Sequence, residues 1–312
     1  MEGVVIRSTG SWYSVLTQDE NVINSRLKGI FRTKGIRTTN PIAVGDHVEI
    51  ALSQKEDENV ITKILPRRNY MIRRATRLSK ASHIIAANLD CAFLIVTLAS
   101  PRTSLGFIDR FLVTAEAYHI PSVLIFNKID LLVTSKEINR LNEIKHIYTS
   151  IGYACYEVSA LTGAGIENVK QDIINKVSLF SGHSGVGKSA LINVIEPQLF
   201  LKTGAISEYH QKGMHTTTFA EMLPLSFGGF IIDTPGIKEF GMIDLKKEEV
   251  SHYFPEMAAL IHQCAFHNCT HTHEPNCAVK KAVEDGTISE SRYQNYLSIL
   301  NDESFYIADW KR

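Results

Sequence analysis

The chain has 312 residues, of which 44% are hydrophobic and 21% are charged, a composition typical of a globular protein with two or three domains. Its 33 Lys and Arg residues balance its 33 Asp and Glu residues, which taken alone argues against a nucleic-acid partner. The longest apolar run, residues 92–99, is far shorter than the roughly 20 residues that span a bilayer, and the first residues lack the pattern of a signal peptide. We therefore expect a cytoplasmic protein with no membrane partner.

The N-terminal segment is rich in short strands. Four β-branched stretches, separated by turn residues, cover residues 3–6, 12–16, 44–50 and 59–64. Closely spaced strands without a long helical pattern favour a small β-barrel. We assign this barrel to a first domain of residues 1–68.

From about residue 88, apolar strands alternate with amphipathic stretches, which predicts an α/β domain with a parallel sheet and crossover helices. The predicted strands are 91–98, 122–126, 154–158, 177–180 and 230–232, and helical periodicity covers 108–118 and 136–150. After Gly241 we expect no further strands, only helices around a cysteine cluster. The α/β domain is therefore placed at residues 69–241 and a helical domain at residues 242–312.

The zero net charge hides an uneven distribution. Residues 59–89 contain seven basic and no acidic residues, whereas residues 242–312 contain seven basic and eleven acidic residues. A run of basic residues is either a solvated surface or a phosphate-binding face, and we weigh these alternatives equally. The charge balance therefore does not exclude an RNA partner.

A phosphate-binding loop (P-loop) is predicted directly after the apolar strand 177–180. It has the pattern G-x-x-x-x-G-K-S/T and consists of Gly182, His183, Ser184, Gly185, Val186, Gly187, Lys188 and Ser189. A strand before the loop and a helix after it are the context that this motif requires. Backbone N–H groups and the helix N-terminus would bind phosphate, Lys188 would bridge the β- and γ-phosphates, and Ser189 would coordinate magnesium.

A D-x-x-G element, Asp233 to Gly236, follows the predicted strand 230–232. It lies 44 residues after Ser189 at the end of an apolar strand, which makes it a strong partner to the P-loop. Asp233 is expected to hold magnesium through water, and the Gly236 amide is expected to contact the γ-phosphate.

Two further strand ends predict the base of the nucleotide. They carry Asn127, Lys128, Ile129 and Asp130 after strand 122–126, and Ser159 and Ala160 after strand 154–158. A carboxylate at Asp130 accepts hydrogen bonds from the N1–H and the N2 amine of guanine, whereas adenine has neither donor. Asn127 would support the loop, Lys128 would lie over the ring, and the Ala160 amide could donate to guanine O6. GTP is therefore the predicted nucleotide.

The order of these elements is that of a circularly permuted GTPase. In an ordinary GTPase the phosphate elements precede the guanine elements, whereas here residues 127–130 and 159–160 precede the P-loop. Permutation is tolerated because the termini of a domain tend to lie close together. The segment after Gly236 leads into the C-terminal domain, and we expect it to relay the nucleotide state there.

Switch I is predicted in the polar loop 213–218, between the P-loop and the D-x-x-G element. A threonine should complete the magnesium coordination; Thr217 is favoured, with its neighbouring threonines as alternatives. Ile237 stands where some GTPases carry a catalytic glutamine. His215 is the nearest candidate for positioning water, with a structural role weighed equally, so hydrolysis should be slow without a partner. The candidate catalytic residues are thus His215, Thr217 and Lys188.

Three of the five cysteines cluster and predict a metal site. The predicted ligands are Cys264, Cys269, His271 and Cys277. Three other histidines compete for the nitrogen position: His262, His267 and His273. Three thiolates and an imidazole form the closed tetrahedral set of structural zinc sites, so zinc is expected to stabilise the C-terminal domain. Cys91 and Cys155 lie in apolar strands and are predicted to be unreactive core residues.

Together, these motifs resemble the circularly permuted ribosome small subunit-dependent GTPase A family (RsgA), and the resemblance spans nearly the whole chain. It implies an N-terminal OB-fold, a permuted GTPase domain and a helical zinc-binding domain. It also implies that Cys264, Cys269, His271 and Cys277 are the zinc ligands and that His215 belongs to switch I. Members of this family act late in maturation of the small ribosomal subunit.

The predicted function is therefore a GTPase that hydrolyses GTP to GDP and phosphate, binds rRNA of the small ribosomal subunit as a monomer, and is stimulated by that subunit. Two alternatives remain. A P-loop metabolic enzyme would need a small-molecule acceptor pocket but not the guanine motif, and an RNA-binding module would hold its nucleotide as a passive ligand.

Overall fold

Five short strands close into a barrel at the N-terminal end of the chain. The computed structural model describes residues 1–27, 41–53, 59–73, 83–201, 220–234, 242–243, 246–302 and 306–307. Within this part, the barrel strands are β1 (Glu2–Ser8), β2 (Trp12–Thr17), β3 (Val22–Leu27), β4 (His47–Ala51) and β5 (Val60–Ile64). They pair in the order β1-β2-β3-β5-β4, and β1 also pairs with β4, which closes the ring. The predicted barrel is confirmed, but β3 escapes the prediction because polar residues 24–26 interrupt its apolar pattern.

Alternating side chains of these strands fill the barrel. In β2, the buried positions are Tyr13, Val15 and Thr17, as expected of a strand with one face on a core. The interior is formed by Val5, Tyr13, Val15, Ile42, Val48, Ile50 and Ile61. The other face of β2, which begins with Trp12, therefore points away from the barrel core.

A hairpin leads from the barrel to the second sheet. Its strands are β6 (Tyr70–Arg73) and β7 (His83–Ala87), which pair antiparallel. The buried side chains of Met71 and Ala86 join the core of the following domain. This hairpin also escapes the sequence prediction, because its strands are short and lie in the basic segment.

The second sheet has the predicted parallel arrangement. Its strands are β8 (Cys91–Val96), β9 (Ser122–Phe126), β10 (Ala154–Glu157), β11 (Val177–Ser181), β12 (Glu221–Pro224) and β13 (Phe230–Asp233). Their order is β10-β9-β8-β11-β13-β12, and all neighbours are parallel except β12 with β13. The five predicted strands are confirmed to within two residues at their ends. Pairing of Arg7 with Glu221 continues the hydrogen bonding from β12 into the barrel.

Helices cover both faces of this sheet. They are α1 (Leu105–Ala117), α2 (Ser135–Thr149), α3 (Ile166–Ile173) and α4 (Lys188–Ile195), with 3-10 turns at Ile129–Leu131 and Pro197–Leu199. Phe111 of α1 and Ile144 of α2 pack on one face, whereas Val169 of α3 and Leu191 of α4 pack on the other. A capping box between Thr134 and Glu137 begins α2. No helix within the described residues has both the length and the hydrophobicity needed to cross a membrane.

The C-terminal region is mainly helical and packs against α1. It contains 3-10 segments at Lys247–Tyr253 and Ile261–Gln263 and the helices α5 (Pro255–Ala258), α6 (Ala278–Glu284) and α7 (Glu290–Asn301). Val113 of α1 belongs to the same apolar cluster as Phe254 and Tyr296. The expectation that strands stop after Gly241 is wrong, because β14 (Met242–Ile243) pairs in parallel with β15 (Tyr306–Ile307). Two-residue strands are too short to produce a periodic pattern.

Candidate nucleotide-binding site and metal centre

The P-loop lies at the carboxyl edge of the parallel sheet, between the end of β11 and the start of α4. Ligands bind at this edge in open α/β sheets. Gly187 has φ +88°, and a Cβ there would lie 2.5 Å from Nδ2 of Asn127. The left-handed conformation and this close approach both require glycine. The second glycine of the motif thus brings the P-loop directly against the predicted guanine loop.

Asn127 joins three predicted elements of the site. Its side chain is buried, Nδ2 donates to the carbonyl of Val186 at 2.8 Å, and Oδ1 accepts from the Ala160 amide at 3.2 Å. These contacts match the supporting role predicted for Asn127. The Ala160 amide, which sequence reasoning assigned to guanine O6, donates to Asn127 in this structure.

Lys128 and Asp130 extend from the same loop. Lys128 Nζ donates to the carbonyls of Ser100 at 2.7 Å and Gly185 at 2.8 Å. One oxygen of Asp130 accepts a hydrogen bond from Ser159 Oγ, whereas Oδ2 accepts none from the described residues. One carboxylate oxygen therefore holds the Asp130 side chain in place, and the other is available to accept a hydrogen bond from a ligand.

Lys188, at the start of α4, forms an ion pair with Asp233, at the end of β13. The Lys188 side chain is 10% exposed and that of Asp233 is 25% exposed. Thr234 follows Asp233 and donates from Oγ1 to the carbonyl of Phe180 at 3.0 Å, which fixes the end of β13 against β11. Three other predicted site residues lie outside the described residues: His215, Thr217 and Gly236.

The loop that follows β8 also contacts the P-loop, and no motif in the sequence points to it. Thr103 Oγ1 lies 2.7 Å from His183 Nε2, and the Phe107 and His183 rings meet edge to face at 5.7 Å between centroids. Thr103 is buried and precedes Ser104, the N-cap residue of α1, and Phe107 lies in the first turn of that helix. The P-loop and α1 are thus in direct contact.

The four predicted metal ligands converge in the C-terminal region. Their ligand atoms all lie within 4.8 Å of one another: Sγ of Cys264, Cys269 and Cys277, and Nδ1 of His271. Cys277 Sγ lies 3.3 Å from His271 Nδ1 and 4.0 Å from Cys264 Sγ. The three competing histidines are exposed and outside this cluster: His262, His267 and His273. Burial raises the pKa of the Cys269 thiol to about 12, and a bound cation is what would stabilise the thiolate there.

Hydrogen bonds from α7 hold the backbone of the metal cluster in place. Tyr293 donates to the carbonyl of His271, and Tyr296 donates to that of Thr270, each at 2.6 Å. His271 itself has φ +58°, a left-handed conformation that a non-glycine residue adopts only when the surroundings impose it. Hydrogen bonds within the protein therefore hold the metal cluster together. Its donor set fits zinc.

Two family models match the chain: one described as RsgA GTPase over residues 64–243, and one described as RsgA N-terminal domain over residues 2–61. The chain belongs to the RsgA GTPase family. The small ribosomal subunit biogenesis GTPase RsgA of Bacteroides fragilis is 54% identical to it over 303 residues, with 97% of each chain covered. The protein of that name from Flavobacterium psychrophilum is 53% identical over 312 residues, covering 99% of this chain and 95% of its own.

Solved structures agree with this assignment. YjeQ from Thermotoga maritima superimposes with a TM-score of 0.76 at 36% identity and covers 96% of each chain. YloQ, described as a circularly permuted GTPase, has a TM-score of 0.71 at 28% identity and covers 96% of this chain and 94% of its own. The predicted family and the permuted order of the RsgA GTPase motifs are confirmed.

A largely buried polar cluster, which we call the Arg292 cluster, connects the C-terminal region to α1. It contains Asp109 of α1, Tyr148 of α2, Glu256 of α5, and Arg292 and Asn295 of α7. Arg292 donates to Asp109 at 2.7 Å and to both oxygens of Glu256 at 2.7 and 3.1 Å. Tyr148 and Asn295 donate to the two oxygens of Asp109 at 2.9 and 2.5 Å. Sequence reasoning misses this cluster because its members come from four separate helices.

Charge compensation keeps the Arg292 guanidinium protonated, whereas burial raises the pKa of the Asp109 carboxyl. Burial lowers the pKa of Arg292, but the carboxylates of Asp109 and Glu256 outweigh burial and raise that pKa above its ordinary value. The guanidinium also lies 4.5 Å from the centre of the Phe254 ring. The helix that contacts the P-loop is thus tied to the C-terminal region by a buried ion pair.

The basic segment 59–89 carries less unpaired positive charge in the structure than its sequence suggests. Three of its cations form ion pairs with acids from elsewhere: Lys63 with Glu49 at 2.8 Å, Arg67 with Asp46 at 2.6 Å and Arg68 with Asp90 at 2.7 Å. Asp46 is fully buried and Arg67 mostly so. Arg74, Arg77 and Lys80 lie outside the described residues. These pairs show that an acid-free stretch of sequence is not a measure of free positive charge.

Proposed function

We propose that this chain hydrolyses GTP to GDP and phosphate, that it acts in biogenesis of the small ribosomal subunit, and that the subunit stimulates its hydrolysis. The observation that carries the proposal is the meeting of the guanine loop 127–130 with the P-loop at the ligand-binding edge of the sheet, held by the side chain of Asn127. The family and the named relatives support the same activity.

Guanine recognition falls to Asp130. Its carboxylate is oriented by Ser159 and has a second oxygen free of described partners, which suits the two adjacent donors of guanine. Lys128 crosses between the loop after β8 and the P-loop, so its aliphatic chain would flank the base. The backbone of residues 182–189 would bind the phosphates.

The phosphates would draw Lys188 away from Asp233. The ion pair of Lys188 with Asp233 is partly exposed. Replacing the Asp233 carboxylate by a phosphate as the partner of Lys188 therefore costs little desolvation. Magnesium bound with GTP would neutralise phosphate charge, and Ser189 and Thr217 are its proposed ligands, with Asp233 acting through water. His215 is the proposed residue for positioning the attacking water, and Gly236 the proposed contact to the γ-phosphate.

A structural zinc ion is the second proposed cofactor. Cys264, Cys269, His271 and Cys277 offer a closed tetrahedral set, which leaves no position for catalysis. Metal analysis should find one zinc per chain, and Cys277→Ser should abolish it, whereas Cys155→Ser should leave it unchanged. A Cys277→Ser protein that keeps its full zinc content would contradict this assignment.

Three domains are proposed, at residues 1–68, 69–241 and 242–312, in a monomer of the cytoplasm. The predicted relay after Gly236 begins outside the described residues. Helix α1 offers a second connection, because its Phe107 ring contacts His183 of the P-loop and its Asp109 accepts a hydrogen bond from Arg292. The nucleotide site and the C-terminal domain can therefore influence each other through packed, hydrogen-bonded groups.

The test is GTP turnover with and without purified small ribosomal subunits, using large subunits and the Lys188→Ala variant as controls. Small subunits, but not large subunits, should accelerate GTP turnover by the unchanged chain. Lys188→Ala should not respond to either subunit. Unchanged turnover would contradict the proposal. Stronger binding of ATP than of GTP would favour a metabolic P-loop enzyme. If Lys188→Ala left subunit binding unchanged, an RNA-binding module with a passive nucleotide would be favoured.

A further inference from the structure

An indole and a guanidinium stack on the outer surface of the barrel. Trp12 of β2 and Arg26 of β3 are directly paired across the two strands. The Arg26 guanidinium carbon lies 4.1 Å from the centroid of the Trp12 ring. Arg26 is exposed and Trp12 half-buried. The pair therefore forms a flat, positively charged platform that solvent can reach.

The barrel does not need this platform for its own packing. Its core is filled by the inward side chains of β2, including Tyr13 and Val15, whereas Trp12 lies on the opposite face. The neighbouring outward pair is neutral and polar, with Ser14 Oγ donating to Asn24 Oδ1 at 3.0 Å. Strands β2 and β3 contain no acidic residue. Arg26 is the one charged residue of these two strands, so the charge that the pair itself presents to a partner is positive.

The geometry favours a particular kind of anion. Guanidinium planes stack on unpaired bases of RNA and donate to phosphates. In barrels with this strand order, strands 2 and 3 form the face that binds oligonucleotides. An acidic peptide would match the charge of Arg26 but would gain nothing from the flat Trp12–Arg26 stack. In the basic segment, by contrast, Lys63, Arg67 and Arg68 are already paired with acids.

We propose that the Trp12–Arg26 pair binds an unpaired nucleotide of RNA. The base lies on the outer face of the Arg26 guanidinium, whose edge donates to an adjacent phosphate, and Trp12 holds the guanidinium flat. This inference rests on the proposed function, because the small ribosomal subunit supplies the RNA. It adds a base-stacking contact to what would otherwise be a purely electrostatic attraction.

Affinity for small subunits, measured over a series of salt concentrations, separates stacking from charge. Arg26→Lys keeps the charge and loses the plane, so affinity should fall about tenfold with the salt dependence unchanged. Arg26→Gln should bind more weakly and lower the salt slope by about one. Trp12→Leu should resemble Arg26→Lys, whereas Trp12→Phe should retain most of the affinity. The control Lys63→Gln removes a paired cation on another part of the barrel and should have little effect.

These substitutions lie on the barrel surface, so GTP turnover without subunits should not change. Thermal unfolding of Arg26→Lys should also match that of the unchanged chain, which separates lost contact from lost fold. An Arg26→Lys variant that binds subunits as tightly as the unchanged chain would overturn the proposal, since charge alone would then suffice.

A second measurement uses RNA without subunits. The chain has two tryptophans, Trp12 and Trp310, so Trp310→Phe makes Trp12 the single fluorescent indole. Saturating single-stranded oligoadenylate should change the Trp12 emission, whereas an RNA duplex of the same length should change it much less. If oligoadenylate left the Trp12 emission unchanged while Arg26→Lys still weakened subunit binding, the contact would be assigned to a ribosomal protein. That result would overturn the proposal. Failure of the unchanged chain to bind subunits would count against the proposed function, while the oligoadenylate result would still decide this inference.

Discussion

Two polar clusters join distant parts of the chain, and they differ in how far solvent reaches them. In the Arg292 cluster, the side chains of Arg292 and Asp109 are 1% and 0% exposed. At the nucleotide site, those of Lys188 and Asp233 are 10% and 25% exposed. A fully buried ion pair cannot lose a partner without stranding a charge, whereas a partly exposed pair can exchange one for a ligand. The comparison separates a buried structural cluster from an ion pair that can exchange a partner for a ligand.

The largest expected effect comes from breaking the buried cluster. Arg292→Met leaves the carboxylates of Asp109 and Glu256 buried without their cation, which should lower the free energy of unfolding by about 3–5 kcal/mol. Arg110→Met is the matched control, because Arg110, next to Asp109 on α1, pairs with Asp302 at 3.0 Å and the two side chains are 25% and 29% exposed, so its loss should cost about 1 kcal/mol or less. Denaturant unfolding measures both. Equal losses would erase the distinction between the two kinds of pair.

The Lys188–Asp233 pair should respond in the opposite way. Lys188→Ala should reduce GTP turnover by about 100-fold or more, because it removes the cation that faces the phosphates. It should leave stability nearly unchanged, since Asp233 remains partly solvated. Turnover and denaturant unfolding of the same preparation test this. A stability loss as large as that of Arg292→Met would mean that the pair is structural.

A smaller effect is expected at the guanine loop. Asp130→Asn replaces an acceptor by an amide and should weaken GTP binding about 10- to 100-fold, while improving binding of xanthosine triphosphate. Asp172→Asn is a suitable control, because Asp172 pairs with Tyr156 away from the loop. Competition binding with the two nucleotides provides the measurement. An unchanged preference would remove Asp130 from base recognition.

The smallest effect is expected for two cysteines outside the metal cluster. Burial raises the pKa of both the Cys91 and Cys155 thiols to about 12. A thiol is unreactive below its pKa, so neither should react appreciably with iodoacetamide at pH 8 until the chain unfolds. Peptide mapping after alkylation at pH 8 and at higher pH tests this prediction. Rapid modification of Cys91 in the folded chain would show that burial does not keep that thiol protonated.

The sequence predicts where the P-loop and the 127–130 loop lie, because each is a continuous motif at the end of an apolar strand. The same reasoning overlooks β3 and β12, whose short, half-polar stretches carry little periodic signal. It also overlooks the pairing of Asp109 with Arg292, since 183 residues separate them. The basic segment shows the same limit, because Asp46 and Asp90 neutralise Arg67 and Arg68 from outside it. Local patterns predict elements, whereas charge compensation depends on tertiary contacts.

The measurement that tests the account most directly is the affinity of the chain for purified small ribosomal subunits in the presence of a non-hydrolysable GTP analogue or GDP. If the Lys188–Asp233 pair transmits the presence of the γ-phosphate to the rest of the chain, the analogue should tighten binding at least about fivefold. Lys188→Ala should remove the difference. Equal affinity with the two nucleotides would contradict the account.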